Sequence, residues 1–184
     1  MKKIALISDN HSYVGEDVLK HLEGKDEIWH AGDIGQLESI EPIKDLAPTF
    51  RAVYGNIDAT DTREIYPLNN IFEVEGVKVL MTHIGGYPGR YKTRVNDLII
   101  EHKPDLYICG HSHILKVMRD KQNNLIHMNP GAYGHHGFHK MRTMLTFNIE
   151  QGVIGSLNVI ELGMRGIVKD VDEYLFKINK YHKD

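Results

Sequence analysis

A chain of 184 residues with 41% apolar and 26% charged side chains is long enough to bury a real core, and its composition is that of an ordinary globular protein. Its formal charge of −3 disfavours a protein that tracks nucleic-acid phosphates, and no apolar run approaches the ~18–20 residues of a membrane span. The lone cysteine, Cys109, permits no internal disulfide, and Met1-Lys2-Lys3 leads straight into a strand rather than a signal segment, so a cytoplasmic protein is expected.

Ile4-Ala5-Leu6-Ile7 predicts a short strand buried on both faces, running without a break into Ser8-Asp9-Asn10-His11. If that segment stays extended, Asp9 and His11 point to the same side and can grip one ion. Val14, Val18, His21 and Leu22 then mark a helix over residues 13–23, ended near Gly24. A second strand over 26–30 stops at Ala31-Gly32-Asp33. A second helix over 37–46 is broken early by Pro42, and a third strand over 49–54 ends at Gly55-Asn56-Ile57-Asp58. This alternation predicts a parallel sheet with ligands beyond the carboxyl ends of its strands.

The pattern changes in the middle. Residues 71–74 and 77–81 around Glu75-Gly76 form a hairpin that ends at Thr82-His83. Gly85-Gly86-Tyr87-Pro88-Gly89 is a loop. Val95, Leu98, Ile99 and His102 mark a helix up to Pro104, and a strand over 105–109 ends at Gly110-His111-Ser112-His113. Two further hairpins pair 115–118 with 125–128, closed by Asn129-Pro130-Gly131, and 143–149 with 153–160. The expected fold is α/β: a four-layer α/β/β/α sandwich of two mixed sheets flanked by helices, with a metal site at the carboxyl ends of the strands. Residues 1–162 form the domain. Residues 163–184, with Val171, Leu175 and Ile178 at helical spacing, form a helical extension packed on it.

Strand ends thus supply Asp9, His11, Asp33, Asn56, His83, His111 and His113. Any one alone reads as an N-cap or a hydrogen-bonded structural histidine; their repetition resists that reading. Mixed carboxylate, amide and imidazole donors without a thiolate suit Mn, Fe, Co, Ni or Zn better than Ca or Mg. They are too many for one tetrahedral ion, and suit two ions about 3.5–4 Å apart that share a carboxylate.

In order and rough spacing, Asp9-x-His11, Gly32-Asp33, Gly55-Asn56-x-Asp58, His83 and Gly110-His111-x-His113 resemble the motifs of the calcineurin-like metallophosphoesterases. The small size and Asn129-Pro130-Gly131 look most like the YfcE-type phosphodiesterases, a group that includes the retromer subunit Vps29. The resemblance covers roughly residues 2 to 160. It implies that Asp9, His11 and His113 hold one divalent metal, that Asn56, His83 and His111 hold a second, and that Asp33 bridges them. Manganese is the first choice of ion, with Ni, Co, Zn or Fe also fitting. It further implies a phosphodiesterase that acts on a small phosphate ester through a metal-bridging hydroxide, with Asp33, Asn56, His83 and His111 as its catalytic residues, and a homodimer or homotetramer. Nucleic acid and membrane are not expected partners. The alternative is a Vps29-like protein-binding module with a vestigial metal site. Vps29-type proteins replace a histidine of the core set, whereas the set is intact here.

Many family members carry a histidine where this chain has Ile57, which cannot protonate a leaving group. Asp58 reads as structural. His30 orients a ligand or is a core histidine, both readings standing. Residues 134–142, with His135, His136, His139, Lys140 and Arg142, form a surface loop or dimer contact in preference to a substrate contact or acid. Arg90, Tyr91 and Lys92 are weaker candidates of the same kind, and Cys109 is buried rather than a ligand.

Overall fold

The computed structural model describes residues 1–166, so the expected helix through Val171, Leu175 and Ile178 lies outside the described residues. Two five-stranded sheets form the framework. The first contains β1 (Lys2–Ile7), β2 (Glu27–His30), β3 (Thr49–Ala52), β9 (Met141–Glu150) and β10 (Val153–Met164), in the order β10-β9-β1-β2-β3. The second contains β4 (Asn69–Val74), β5 (Val77–Thr82), β6 (Leu106–Ile108), β7 (Leu115–Asp120) and β8 (Leu125–Pro130), in the order β4-β5-β6-β8-β7. Helices α1 (Glu16–Leu22), α2 (Glu41–Lys44), α3 (Thr60–Ile65) and α4 (Thr93–His102) connect them.

Strand alternation builds the layers. Ile4 and Leu6 face the second sheet, where they pack with Val79, Met81, Leu106 and Ile108, and Trp29 lies edge-on to Phe72 and Phe147. Ala5 and Ile7 face the other way, onto Val18 and Leu22 of α1 and Ile40 and Ile43. Leu80 and Tyr107 on the outer face of the second sheet bury Val95 and Ile99 of α4. The result is the expected α/β/β/α sandwich of two mixed sheets. No helix of the described residues is long and apolar enough to cross a membrane.

Two local expectations are corrected. Pro42 does not break a helix. A 3-10 turn over Leu37–Ile40 leads into α2, and Pro42 occupies the first turn of α2, where its missing N–H is not needed. Helix α3 went unread because Thr62 is its only buried residue, so it has no apolar face to reveal it.

The strands that matter for the site are parallel within their sheets: β1 with β2, β2 with β3, and β5 with β6. The polar residues that follow Ile7, His30, Ala52, Thr82 and Ile108 therefore emerge at the carboxyl ends of these ladders.

One core histidine makes stability depend on pH. His127 of β8 stacks on Tyr107 at 5.2 Å between ring centroids, and its Nδ1 is buried without a hydrogen-bond partner. Burial pushes the imidazole down to about 4, with Lys116 acting in the same direction. An unfolded chain binds a proton there below ~6.5 that the folded chain refuses, so stability falls as pH drops from ~6.5 towards 4. We expect His127→Phe to remove about 2–3 kcal/mol of that loss, measured by urea unfolding of metal-free protein at pH 7 and pH 4.5. An unchanged pH dependence would show that His127 already protonates without cost.

Candidate metal centre

The site starts where the strands stop. Asp9 and His11 lie past the end of β1 with φ of 56° and 48°, in the left-handed region rather than extended. The two side chains converge, but through a coiled loop and not through the strand pleat. Asp33, His111 and His113 share this backbone region with φ of 56°, 67° and 56°. Left-handed non-glycine residues are strained, of order 1–3 kcal/mol each, and such strain collects at functional sites.

Hydrogen bonds between loops hold the bends. The Asp9 N–H donates to the Gly32 carbonyl at 3.0 Å, the His11 N–H to Asp33 O at 3.2 Å and the Ser12 N–H to Ile34 O at 2.7 Å. The first loop is thus zipped to the second. Asp58 joins the third, accepting from the N–H of Gly35 at 2.8 Å and of Gly55 at 2.6 Å, so its role is structural. Gly55 is required for closeness, not for its torsion angles: a methyl group there would lie 2.0 Å from Asp33 Oδ1.

Asp9, His11, Asp33 and His113 each offer a donor atom, all within 4.8 Å of one another, and Asp33, His83 and His111 form a second such group. Asp33 belongs to both. Its Oδ2 lies 3.8 Å from His11 Nε2, and its Oδ1 lies 3.1 Å from His83 Nε2. In the first group His113 Nε2 is 3.1 Å from Asp9 Oδ1 and 3.3 Å from His11 Nε2. Asn56 sits between Gly55 and Ile57, and the Ile57 N–H donates to Asp33 Oδ1 at 3.1 Å. Asn56 is exposed, and its backbone carbonyl accepts from Arg63 Nη2 at 3.2 Å.

Does this donor set fit a metal? Ring nitrogens and carboxylate oxygens that face one another at these distances are spaced as ligands of a shared cation would be. His83 supplies the clearest sign. Its Nδ1 donates to the Ala31 carbonyl at 2.7 Å, while its Nε2, fully buried and aimed at Asp33, makes no well-formed hydrogen bond. That is the arrangement of a metal-ligating histidine, whose second nitrogen is fixed by a carbonyl. Burial works to lower the His83 imidazole, but the Asp33 and Asp9 carboxylates outweigh it and raise its affinity for a proton. Burial likewise works to raise Asp33, and the His83 imidazole beside it holds it below the usual range. Burial lowers His11 and His111. Asp33 held acidic, beside His11 and His111 whose protonation burial disfavours, suits a divalent cation.

Several supporting residues escaped the sequence reading. Ser8 Oγ donates to Asp9 Oδ2 at 2.6 Å, and the His111 N–H donates to the same carboxylate at 3.1 Å. Asn129 Nδ2 donates to Gly110 O at 2.8 Å and Ser112 Oγ at 3.1 Å, bracing the loop that carries His111 and His113. His30 takes the orienting role. The Gly32 N–H donates to its Nδ1 at 3.1 Å, so its Nε2–H donates to Asn10 Oδ1 at 2.9 Å, and burial drives it down to about 3. It ties together the residues next to Asp9, His11 and Asp33. No motif spacing marks these contacts, because their partners are distant in sequence.

The loop at 134–142 is more than a polar surface segment. Gly134 donates its N–H to Asp9 O at 3.2 Å, and the His136 and His11 ring centroids are 4.6 Å apart. His139 stands beside His113, with 3.3 Å between their Nδ1 atoms. Arg142 is no substrate ligand: it is buried, ion-paired with Asp17, and donates through Nε to Tyr133 O at 2.9 Å. Tyr91 is also structural, donating to Asp120 Oδ2 at 2.8 Å. Cys109 is buried and its thiol is pushed up to about 12, chiefly by burial, so it offers no thiolate.

Comparison with known proteins adds an independent view. The sequence model of the calcineurin-like phosphoesterase superfamily domain matches residues 1–152. A protein of Methanothermobacter thermautotrophicus named probable metallophosphoesterase is 29% identical over 136 residues, covering 70% of this chain and 76% of that one. Among solved structures, an archaeal phosphodiesterase superposes with a TM-score of 0.67 at 20% identity, covering 86% of this chain and 99% of the other. Vps29 of Entamoeba histolytica, solved with zinc, superposes with a TM-score of 0.66 at 15% identity, covering 88% and 99%.

Proposed function

The chain belongs to the calcineurin-like phosphoesterase superfamily, and we propose that within this metallophosphoesterase family it is a two-metal phosphodiesterase acting on small phosphate esters. The observation that carries this reading is the pair of donor groups that share Asp33. Asp9, His11 and His113 hold the first ion, Asn56, His83 and His111 the second, and Asp33 both. Manganese is the first choice among the metals this donor set accepts. The zinc in the E. histolytica Vps29 and the activity named for the archaeal structural neighbour are consistent with that assignment.

Bound divalent ions supply a nucleophile at neutral pH, by lowering the pKa of water towards ~7, and stabilise charge developing on phosphoryl oxygens. The protein's part is placement. Ser8 and the His111 N–H hold the Asp9 carboxylate, Ala31 O holds His83, and Ile57 N–H holds Asp33. Exposed His111 and Asn56 leave that side open to an incoming ester. Ile57 is exposed and gives no proton, so diesters with good leaving groups are the favoured substrates.

The test is direct. Metal-free protein titrated with Mn²⁺ is expected to take up two ions and to hydrolyse bis-p-nitrophenyl phosphate in a metal-dependent way. Protein that binds two ions yet turns over no diester or monoester would favour a binding module in the manner of Vps29, whose fold it shares.

A further inference from the structure

We infer that His139 is a positioning residue for the first metal position: through two hydrogen bonds anchored on the Gly134 carbonyl, it holds His113 in the tautomer whose Nε2 lone pair faces Asp9. This rests on the two-metal reading, since it takes His113 as a ligand.

The chemistry runs in one direction only. A carbonyl oxygen accepts and never donates, so His139 Nε2, 3.1 Å from Gly134 O, carries a hydrogen. A neutral imidazole with its hydrogen on Nε2 has its lone pair on Nδ1. His113 Nδ1 lies 3.3 Å from that nitrogen, and with His139 neutral His113 is the donor in this contact. His113 then has no hydrogen on Nε2, the atom 3.1 Å from Asp9 Oδ1 and 3.3 Å from His11 Nε2. Ala31 O does the same for His83 directly, at 2.7 Å from its Nδ1. His113 reaches its carbonyl through a second histidine.

The anchor is rigid, as such a relay needs. Gly134 is bound by its N–H to Asp9 O, and a methyl group there would lie 2.4 Å from Asn10 O. Gly137 has φ +118°, and a methyl group on it would lie 2.1 Å from His113 Nδ1, so only glycine lets this backbone pass so close. The loop is fitted to the ligand loop at both points. His139 lies outside the ligand motifs read from the sequence, and its role appears only from these contacts.

The experiment has two readouts besides activity. Long-range proton–nitrogen correlation spectra of the zinc-loaded, full-length protein are expected to show His113 protonated at Nδ1 and His139 at Nε2. In calorimetric Mn²⁺ titrations, His139→Ala is expected to weaken the first position about 10- to 100-fold and leave the second unchanged. His139→Asn, whose amide oxygen can accept from His113 Nδ1–H, is expected to recover part of that loss. A His113 protonated at Nε2 would overturn the inference and remove His113 from the first position, and a His139→Ala protein with both affinities intact would overturn the inference while leaving the two-metal reading in place. Wild-type protein that takes up no metal would overturn both. The spectra need no variant, so a misfolded His139→Ala protein cannot stall the test.

Discussion

Replacing Asp33 by alanine is expected to empty both metal positions and to lower kcat/KM on bis-p-nitrophenyl phosphate by roughly 10³-fold or more, the equivalent of several kcal/mol of lost metal assistance. No other side chain in the site belongs to both donor groups. Oδ2 faces His11 and Oδ1 faces His83, so removing the carboxylate leaves each group short of an anionic donor at once. By contrast, removing Asp9 or His11 is expected to empty the first position and leave the second partly filled. Asp33 also has φ of 56°, which alanine tolerates poorly. Asp33→Asn is therefore the better matched variant: asparagine accepts that backbone and removes only the charge. Metal content after dialysis and steady-state kinetics read both effects. An Asp33→Asn protein that retains two ions and near-normal turnover would remove Asp33 from the shared position.

Gly55→Ala is the second large effect, and it changes no ligand. The added methyl group would sit 2.0 Å from Asp33 Oδ1 and 2.4 Å from the Asp33 backbone nitrogen. A backbone atom cannot swing aside as a side-chain tip can. Either the carboxylate or the loop at 55–58 must move, although the Gly55 N–H is held by Asp58 Oδ2 at 2.6 Å. We expect about 1–3 kcal/mol of destabilisation from overpacking, with metal uptake and activity close to those of Asp33→Ala. Gly155→Ala is the control. Nothing lies within 4 Å of a methyl group there and its φ is not positive, so stability and metal content should be unchanged. Equal behaviour of the two variants in thermal melts and metal analysis would refute the argument from close approach.

These glycines show where sequence reading stops. Gly55 before Asn56 suggests a sharp turn, but what it demands is proximity to a carboxylate from another strand. The same limit hid helix α3, whose buried residue is a single threonine. It hid the histidines at 136 and 139 as well, which read as part of a polar surface loop until the fold laid them beside His11 and His113. It also promoted Arg142, a cation by composition, to a candidate substrate contact, although the fold buries it against Asp17.

Local rules alone determined a great deal. Apolar runs such as Ile4–Ile7 and residues 77–81 marked the buried strands, and a glycine or a polar side chain at the strand ends marked where the ladders stop. Strand–helix alternation forces parallel neighbours, so the candidates Asp9, Asp33 and Asn56 fall at one end of a sheet before any coordinate is known. Donor type narrowed the class of metal. Tertiary structure alone decided which oxygen of Asp33 faces which imidazole, that Asp9 and His11 converge through left-handed backbone, and that a distant loop reaches the His113 ring. The physical reason is range. Burial pattern and turn chemistry act between neighbours in the chain, whereas a metal site is set by tenths of an ångström between atoms of residues far apart in sequence, such as His11 and His113, 102 residues apart.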